Sequence, residues 1–269
     1  MSEDGKQNNE ATQELEKSLF GKKVFFLNPP AVIEDVASAL SDAEYEVYLT
    51  RDHAKLARYL HKEPDCLIFI NIDEGNDEQL WRKWILDIRK ELTSKKPLFG
   101  IISMIDDKDK KAFYLMEMGV ECGFIVIKLG VAKTTEIVLK MLEANEAKGR
   151  RRYVRASCPP DGTEFSCKAD EAVYKGWIRD ISSVGMSVFF TGTSSPKAGS
   201  RLKDIQLVLK GVRIMLNGVV IGSHMTQGIG QITILMFEPA SLNDDKKLRI
   251  RTFIRKTLQS NMDKALDLA

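Results

Sequence analysis

Cysteine is scarce and unpaired here: Cys66, Cys122, Cys158 and Cys167 form no CxxC, and no histidine stands at zinc-finger spacing from them. A structural zinc site and a dithiol redox pair are therefore not expected. The four read as reduced thiols of a cytoplasmic protein, with Cys66 buried in an apolar run. His53, His61 and His224 are far apart and near no cysteine pattern, so metal ligation is not expected of them either. No apolar run approaches the roughly 18 residues of a membrane span. The opening MSEDGKQNNE has no apolar core and does not read as a signal peptide. An excess of one charge is also lacking: 40 basic and 38 acidic residues give a formal net charge of +2. Bulk attraction to nucleic acid or to an anionic membrane is thereby excluded, and any basic site must be local.

What remains is a globular composition, 43% hydrophobic and 29% charged, in 269 residues, enough for two domains. Residues 1–18 are polar and are expected to form a disordered tail. Over 19–146, nearly unbroken apolar runs (23–27, 45–49, 66–72, 98–104 and 124–127) alternate with amphipathic stretches (32–40, 55–60, 78–92, 108–118 and 131–147). That pattern predicts a parallel sheet covered on both faces, a doubly wound α/β sandwich. Trp81 and Trp84, at i and i+3, are assigned to a helix packing stripe or a partner face. The character changes after Glu146. Residues 147–150 (AKGR) read as a linker, and 151–243 as an all-β domain of short alternating strands. Ile205, Leu207 and Leu209 mark one strand, and Ile232, Ile234 and Met236 another; PPDG, TGTSSPKAG and TQGIG mark turns. A terminal helix over 244–269, capped near Asn243 and Asp244, carries an apolar stripe of Ile250, Phe253, Ile254, Leu258 and Met262 and is expected to pack on the barrel.

The second domain opens with GRRRYVRASCPPDG, in which Arg151 and Arg155 form an RxxxR pair. Downstream, DISSVG places Asp180, Ser182 and Gly185 in a DxSxxG pattern. A second RxxxR, Arg251 and Arg255, lies in the terminal helix with no such partner and reads as surface charge. RxxxR followed by DxSxxG before alternating strands resembles the PilZ family over about residues 149–240, including the MSVFF strand and the segment LNGVVIGSHMTQGIGQITILMF. The resemblance implies an antiparallel PilZ-like β-barrel that binds cyclic di-GMP through Arg151, Arg155, Asp180, Ser182 and Gly185. The chemistry suits that ligand. A guanidinium can bridge the O6 and N7 acceptors of guanine, pair with a phosphate, or stack on the purine face. A carboxylate accepts from the N–H donors on the guanine edge. Ser182 would add a hydroxyl, and Gly185 room for close approach. The arginines, on a junction segment, would close over the ligand like a clamp on a rigid turn. Arg150 stands where the resemblance implies a choice between one nucleotide and an intercalated pair, and a third guanidinium there favours the pair. Trp177, alternating with Arg179, is expected in the core behind the site.

The first domain is similar to response-regulator receiver domains. GVECGFIVIK, ending at Lys128, resembles their segment leading to a lysine, and Ser103 falls where receivers place Ser or Thr. Strand one, however, ends Asn28-Pro29-Pro30 without the acidic pair that would hold Mg²⁺, and strand three ends Asn71-Ile72-Asp73. Asn71 aligns with the phospho-acceptor and cannot be phosphorylated; Asp73 would lack its metal partners. The expectation is a degenerate, pseudo-receiver domain that transmits contacts. The whole chain then reads as a non-enzymatic receptor. Cyclic di-GMP would order Arg150–Arg155, rearrange the domains and alter a surface for a protein partner that the sequence does not identify. The competing readings are a PilZ-like adaptor that binds only protein and a phosphorylation-driven response regulator. DNA binding is not expected, since no helix-turn-helix pattern precedes the barrel.

Overall fold

The structure, a computed structural model, describes residues 21–75, 77–93, 95–192, 194–226 and 230–269. The expected tail (1–18) and residues 227–229 of the TQGIG turn lie outside the described residues. The chain divides into two units: residues through Arg152 together with Gln259–Ala269, and Tyr153–Leu258.

The first unit is a five-stranded parallel sheet in the order β2-β1-β3-β4-β5. Its strands are β1 (Lys23–Leu27), β2 (Val47–Thr50), β3 (Cys66–Asn71), β4 (Leu98–Ser103) and β5 (Phe124–Val126). The helices are α1 (Val32–Asp42), α2 (His53–Lys62), α3 (Glu78–Glu91), α4 (Lys108–Ala112) and α5 (Gly130–Ala144). Every residue of β3 is buried, as a strand covered on both faces requires. Val24, Phe26, Leu67, Phe69 and Ile102 pack with Ile33, Val36 and Leu40 of α1 and Val138 and Leu142 of α5. Phe25 and Phe99 face the other way, against Tyr59 of α2 and Trp84 of α3. Three of these helices begin at an aspartate whose carboxylate accepts backbone N–H groups of the first turn: Asp52, Asp77 and Asp107. The helix expected over 108–118 is α only to Ala112 and continues as a π turn, Phe113–Glu117. Ala147, expected in the linker, is instead buried in this core, with Lys22 N donating to its carbonyl at 2.8 Å. The chain reverses at Glu146, in the left-handed region at φ 50°, which folds the alanine back under α5.

Strand order reverses between β1 and β3, and in such sheets ligands bind beyond the strand ends at that point. Here the place is filled by the chain itself. Asn71, buried, donates its side-chain amide to the Asn28 carbonyl at 3.0 Å. Gly75, at φ +89°, leaves no room for a Cβ, which would fall 2.3 Å from Asn28 Nδ2, and Trp81 lies beside it. Asp73 accepts from the Ser103 hydroxyl at 2.9 Å and from Met104 N. Among the described residues no group of histidine, cysteine and carboxylate side chains is placed to hold a metal ion.

The second unit is an antiparallel sheet of seven strands, six of which close into a barrel. Its strands are β6 (Arg155–Ser157), β7 (Thr163–Ala169), β8 (Ala172–Ser182), β9 (Gly185–Phe190), β10 (Arg201–Leu209), β11 (Val212–Thr226) and β12 (Gly230–Phe237). The order β8-β7-β10-β11-β12-β9 closes through a β8–β9 pairing, and β6 adds beside β8. The long β8 allows this: Ala172–Trp177 pairs with β7, and Asp180, Ile181 and Ser182 pair with β6. Ile205, Leu207 and Leu209 face the core as their alternation predicts. In β12 Leu235 and Phe237 face the core and Met236 is exposed, while Ile232 is fully buried and Ile234 half-buried, so the alternation of Ile232, Ile234 and Met236 does not follow one face along the whole strand. A one-residue slip inverts a strand, and a run apolar on both faces does not fix the register.

The terminal helix α6 (Asp244–Asp267) starts at Asn243, which accepts from Lys246 N at 2.9 Å. Ile250, Phe253 and Ile254 join the barrel core. From Gln259 onward its residues group with the first unit, a division that the apolar stripe does not reveal. No helix among the described residues is long and apolar enough to cross a membrane.

Candidate functional site

The DISSVG sequence forms the tight β8–β9 hairpin. Ser182 and Gly185 flank the two-residue loop of Ser183 and Val184, and the Ser182 hydroxyl donates to the Gly185 carbonyl at 3.0 Å. Upstream, the β8–β9 ladder is irregular between Ile178 and Asp180. Ile178 and Ile181 both enter the core, three residues apart, where an undisturbed strand would alternate by two. The extra residue, Arg179, makes a bulge that turns Asp180 to the outer face.

There Asp180 stands opposite Ser157 of β6 and Ser187 of β9. Arg155, two residues before Ser157, shares that face, and its Nη1 is 3.4 Å from Asp180 Oδ1. The second carboxylate oxygen accepts from the Ser187 hydroxyl. Asp180 keeps 18% of its side chain exposed and Arg155 41%. A pair this open contributes about 0–1 kcal/mol to stability. Both groups are therefore cheap to re-partner, as a binding site requires: a cation with a planar donor fork beside an acceptor carboxylate.

The barrel thus brings Arg155, Asp180, Ser182 and Gly185 together. Arg155 opens β6, in register with Ser182, so it belongs to the ladder rather than to a loose junction. Arg150 and Arg151 are exposed in the segment before β6 and group with the first unit. Two of the assigned residues have local work to do. Ser182 closes the hairpin, and Gly185 allows β9 to approach β12, since a Cβ there would lie 2.4 Å from the Leu235 carbonyl oxygen. Trp177 is 46% exposed on the outer face and not in the core, because it falls on the Glu164–Trp177–Phe189 row.

Ser187 was missed by sequence reasoning; its one signal is a hydroxyl in the apolar run MSVFF. Cys158 was not placed there either. Its thiol is pushed up to about 12 by burial and then by the Asp180 charge, which sets it beside the site.

No protein-family model and no curated protein matches the sequence. Among solved structures the chain is similar to YcgR of Escherichia coli in complex with c-di-GMP: 17% identity and TM-score 0.38 over 45% of this chain and 52% of that one. It is also similar to the K. pneumonia MrkH–c-di-GMP complex (19%, TM-score 0.37, 44% and 57%) and to the Bacillus subtilis inhibitor of motility MotI (16%, TM-score 0.35, 43% and 52%). The matched regions span about half of each of these proteins. A separate PilZ domain of YcgR is matched over 97% of its length, at 19% identity and TM-score 0.35. What the chain is similar to, over less than half of its length, is therefore a group of solved structures that includes PilZ domains.

Proposed function

We propose that the chain is a non-enzymatic receptor for cyclic di-GMP, with the ligand seated on the outer face of the barrel at β6, β8 and β9. The observation that carries this reading is the bulge-aimed Asp180 beside the exposed Arg155. A guanine offers a donor edge to a carboxylate and an acceptor edge to a guanidinium, and a phosphate is a second partner for the same cation. The segment bearing Arg150 and Arg151 supplies further guanidinium groups for the phosphates and the second base. Occupancy at the barrel then alters a surface that a protein partner reads, by favouring the conformation with higher ligand affinity.

Titration calorimetry of cyclic di-GMP into the full chain tests the proposal. Saturable binding is expected, lost in Arg151→Ala and Asp180→Ala and retained in Arg251→Ala, which touches only the RxxxR of the terminal helix. A ligand-to-protein ratio near two supports the role given to Arg150. A folded chain that yields neither heat nor thermal shift overturns the receptor reading in favour of an adaptor that binds only protein.

A further inference from the structure

Two serines of the β8–β9 hairpin, Ser182 and Ser187, do different things. Ser182, the one within DxSxxG, donates a hydrogen bond to the Gly185 carbonyl and holds the hairpin turn. Ser187, outside that pattern, donates its hydroxyl hydrogen bond to Asp180 Oδ2. It is buried to 3% exposure between Met186 and Val188, both core residues. A hydroxyl buried in an apolar strand is unfavourable unless it is bonded, and the carboxylate is the partner that satisfies it here.

The consequence concerns the plane of the carboxylate. An Asp side chain rotates broadly about its last torsion, so an unsupported carboxylate presents its oxygens in many directions. Asp180 is tied at Oδ2 by Ser187 from the β9 side, while Oδ1 faces Arg155 from the β6 side. Each oxygen has two lone pairs, so one acceptor position remains on each after these bonds, and the two are coplanar. Guanine carries N1–H and an N2 amino group side by side on one edge, two parallel donors that suit such an acceptor pair. Adenine places an acceptor at N1, and hypoxanthine keeps N1–H but lacks the 2-amino donor.

We infer that Ser187 is a positioning residue for base recognition: it fixes the Asp180 carboxylate in the plane that a guanine edge meets with both donors. This rests on the cyclic di-GMP reading above and adds to it a source of base selectivity. Ser187 itself touches no ligand in this account.

The test compares Ser187→Thr with Ser187→Val, two side chains of equal shape that differ in the hydroxyl, using cyclic di-GMP and its inosine analogue, cyclic di-IMP. Thr is expected to match the wild type in affinity and in preference for cyclic di-GMP. Val is expected to lose about tenfold in cyclic di-GMP affinity and most of that preference, because one charge-assisted bond no longer sets the plane. Equal preference in both variants overturns the inference, as does equal loss in both. Should the larger side chains prevent folding, Ser187→Ala gives the same reading, with loss of preference supporting the inference and its retention overturning it. A folded wild type that binds neither nucleotide removes the receptor reading itself; a wild type that binds while Val keeps full selectivity removes only the role of Ser187.

Discussion

The Arg155 guanidinium stands 3.4 Å from the Asp180 carboxylate across the β6–β8 ladder, and both remain open to solvent. An exposed pair of this kind contributes about 0–1 kcal/mol to folding. Arg155→Ala is therefore expected to leave the melting temperature within a few degrees of the wild type. The same substitution should lower cyclic di-GMP affinity at least about tenfold, the scale of one charge-assisted hydrogen bond. Calorimetry and a thermal melt on the same sample separate the two effects. A large fall in melting temperature would make the pair structural.

Gly185 behaves differently, because its constraint is steric. A methyl group there would sit 2.4 Å from the Leu235 carbonyl oxygen, against backbone that cannot swing away. Gly185→Ala should thus force β9 from β12 and destabilise the barrel by about 1–3 kcal/mol. The melting temperature should fall with or without nucleotide. Unchanged stability with lost binding would instead assign the glycine to ligand approach.

The α/β layers and the alternating barrel strands were legible because buried sheets and half-buried strands leave different hydrophobic periods. The RxxxR and DxSxxG patterns were legible because their members are close in sequence. What stayed hidden depends on pairing. The bulge at Arg179 turns Asp180 outward and Trp177 belongs to an exposed row, yet alternation alone suggested a tryptophan facing the core. Ser187 meets Asp180 only through strand register. In β12 apolar residues occupy both faces, so the alternation of Ile232, Ile234 and Met236 did not show that burial passes from Ile232 to Leu235 and Phe237 along the strand. Gln259 meets Leu49 across 210 positions of sequence, a pairing that no local pattern marks.

The thiols make a chemical prediction. Burial pushes Cys66, Cys122 and Cys158 up to about 12 and Cys167 to about 11. The thiolate is the reactive form, so at pH 8 the native protein should react with a disulfide reagent far more slowly than after unfolding in guanidinium. After burial, the Asp180 charge also raises Cys158. Asp180→Asn should accordingly speed labelling of Cys158 and leave Cys66 unchanged, as peptide mapping of the labelled protein would show.

Acid stability should depend on Glu78. Burial alone would raise its carboxyl, but hydrogen bonds from Lys110 and Arg82 outweigh that and hold it below the ordinary glutamate value. A carboxyl lowered in the folded state stabilises fully above its unfolded value of about 4.3, and this contribution fades as pH falls through the folded value. Both cations are about one-third exposed, which limits the effect to about 1 kcal/mol. Denaturant melts between pH 7 and pH 3 should show a steeper acid loss for the wild type than for Glu78→Gln. Parallel curves would remove Glu78 from the pH dependence.

The edge of the parallel sheet supplies the last test. Strand β2 is an edge strand, and Glu46 and Thr50 turn their carbonyls inward to β1. Leu49 therefore points its N–H and C=O away from the sheet, the unpaired polar row that leaves edges prone to association. Gln259 covers both: its Oε1 accepts from Leu49 N at 3.0 Å, and its Nε2 donates to Leu49 O at 2.9 Å. The Asp263 carboxylate, 2.7 Å from the same Nε2, holds the amide in that orientation. Gln259→Ala should lose both bonds at a cost of about 1–2 kcal/mol and speed hydrogen exchange at the Leu49 amide. Gln259→Glu keeps an acceptor for the Leu49 N–H but sets a carboxylate against the Leu49 carbonyl and Asp263, so it should destabilise more than Ala at neutral pH and recover in acid. If Ala leaves Leu49 exchange unchanged, the amide contact does not cap the edge, and protection of that strand must come from the apolar residues beneath it.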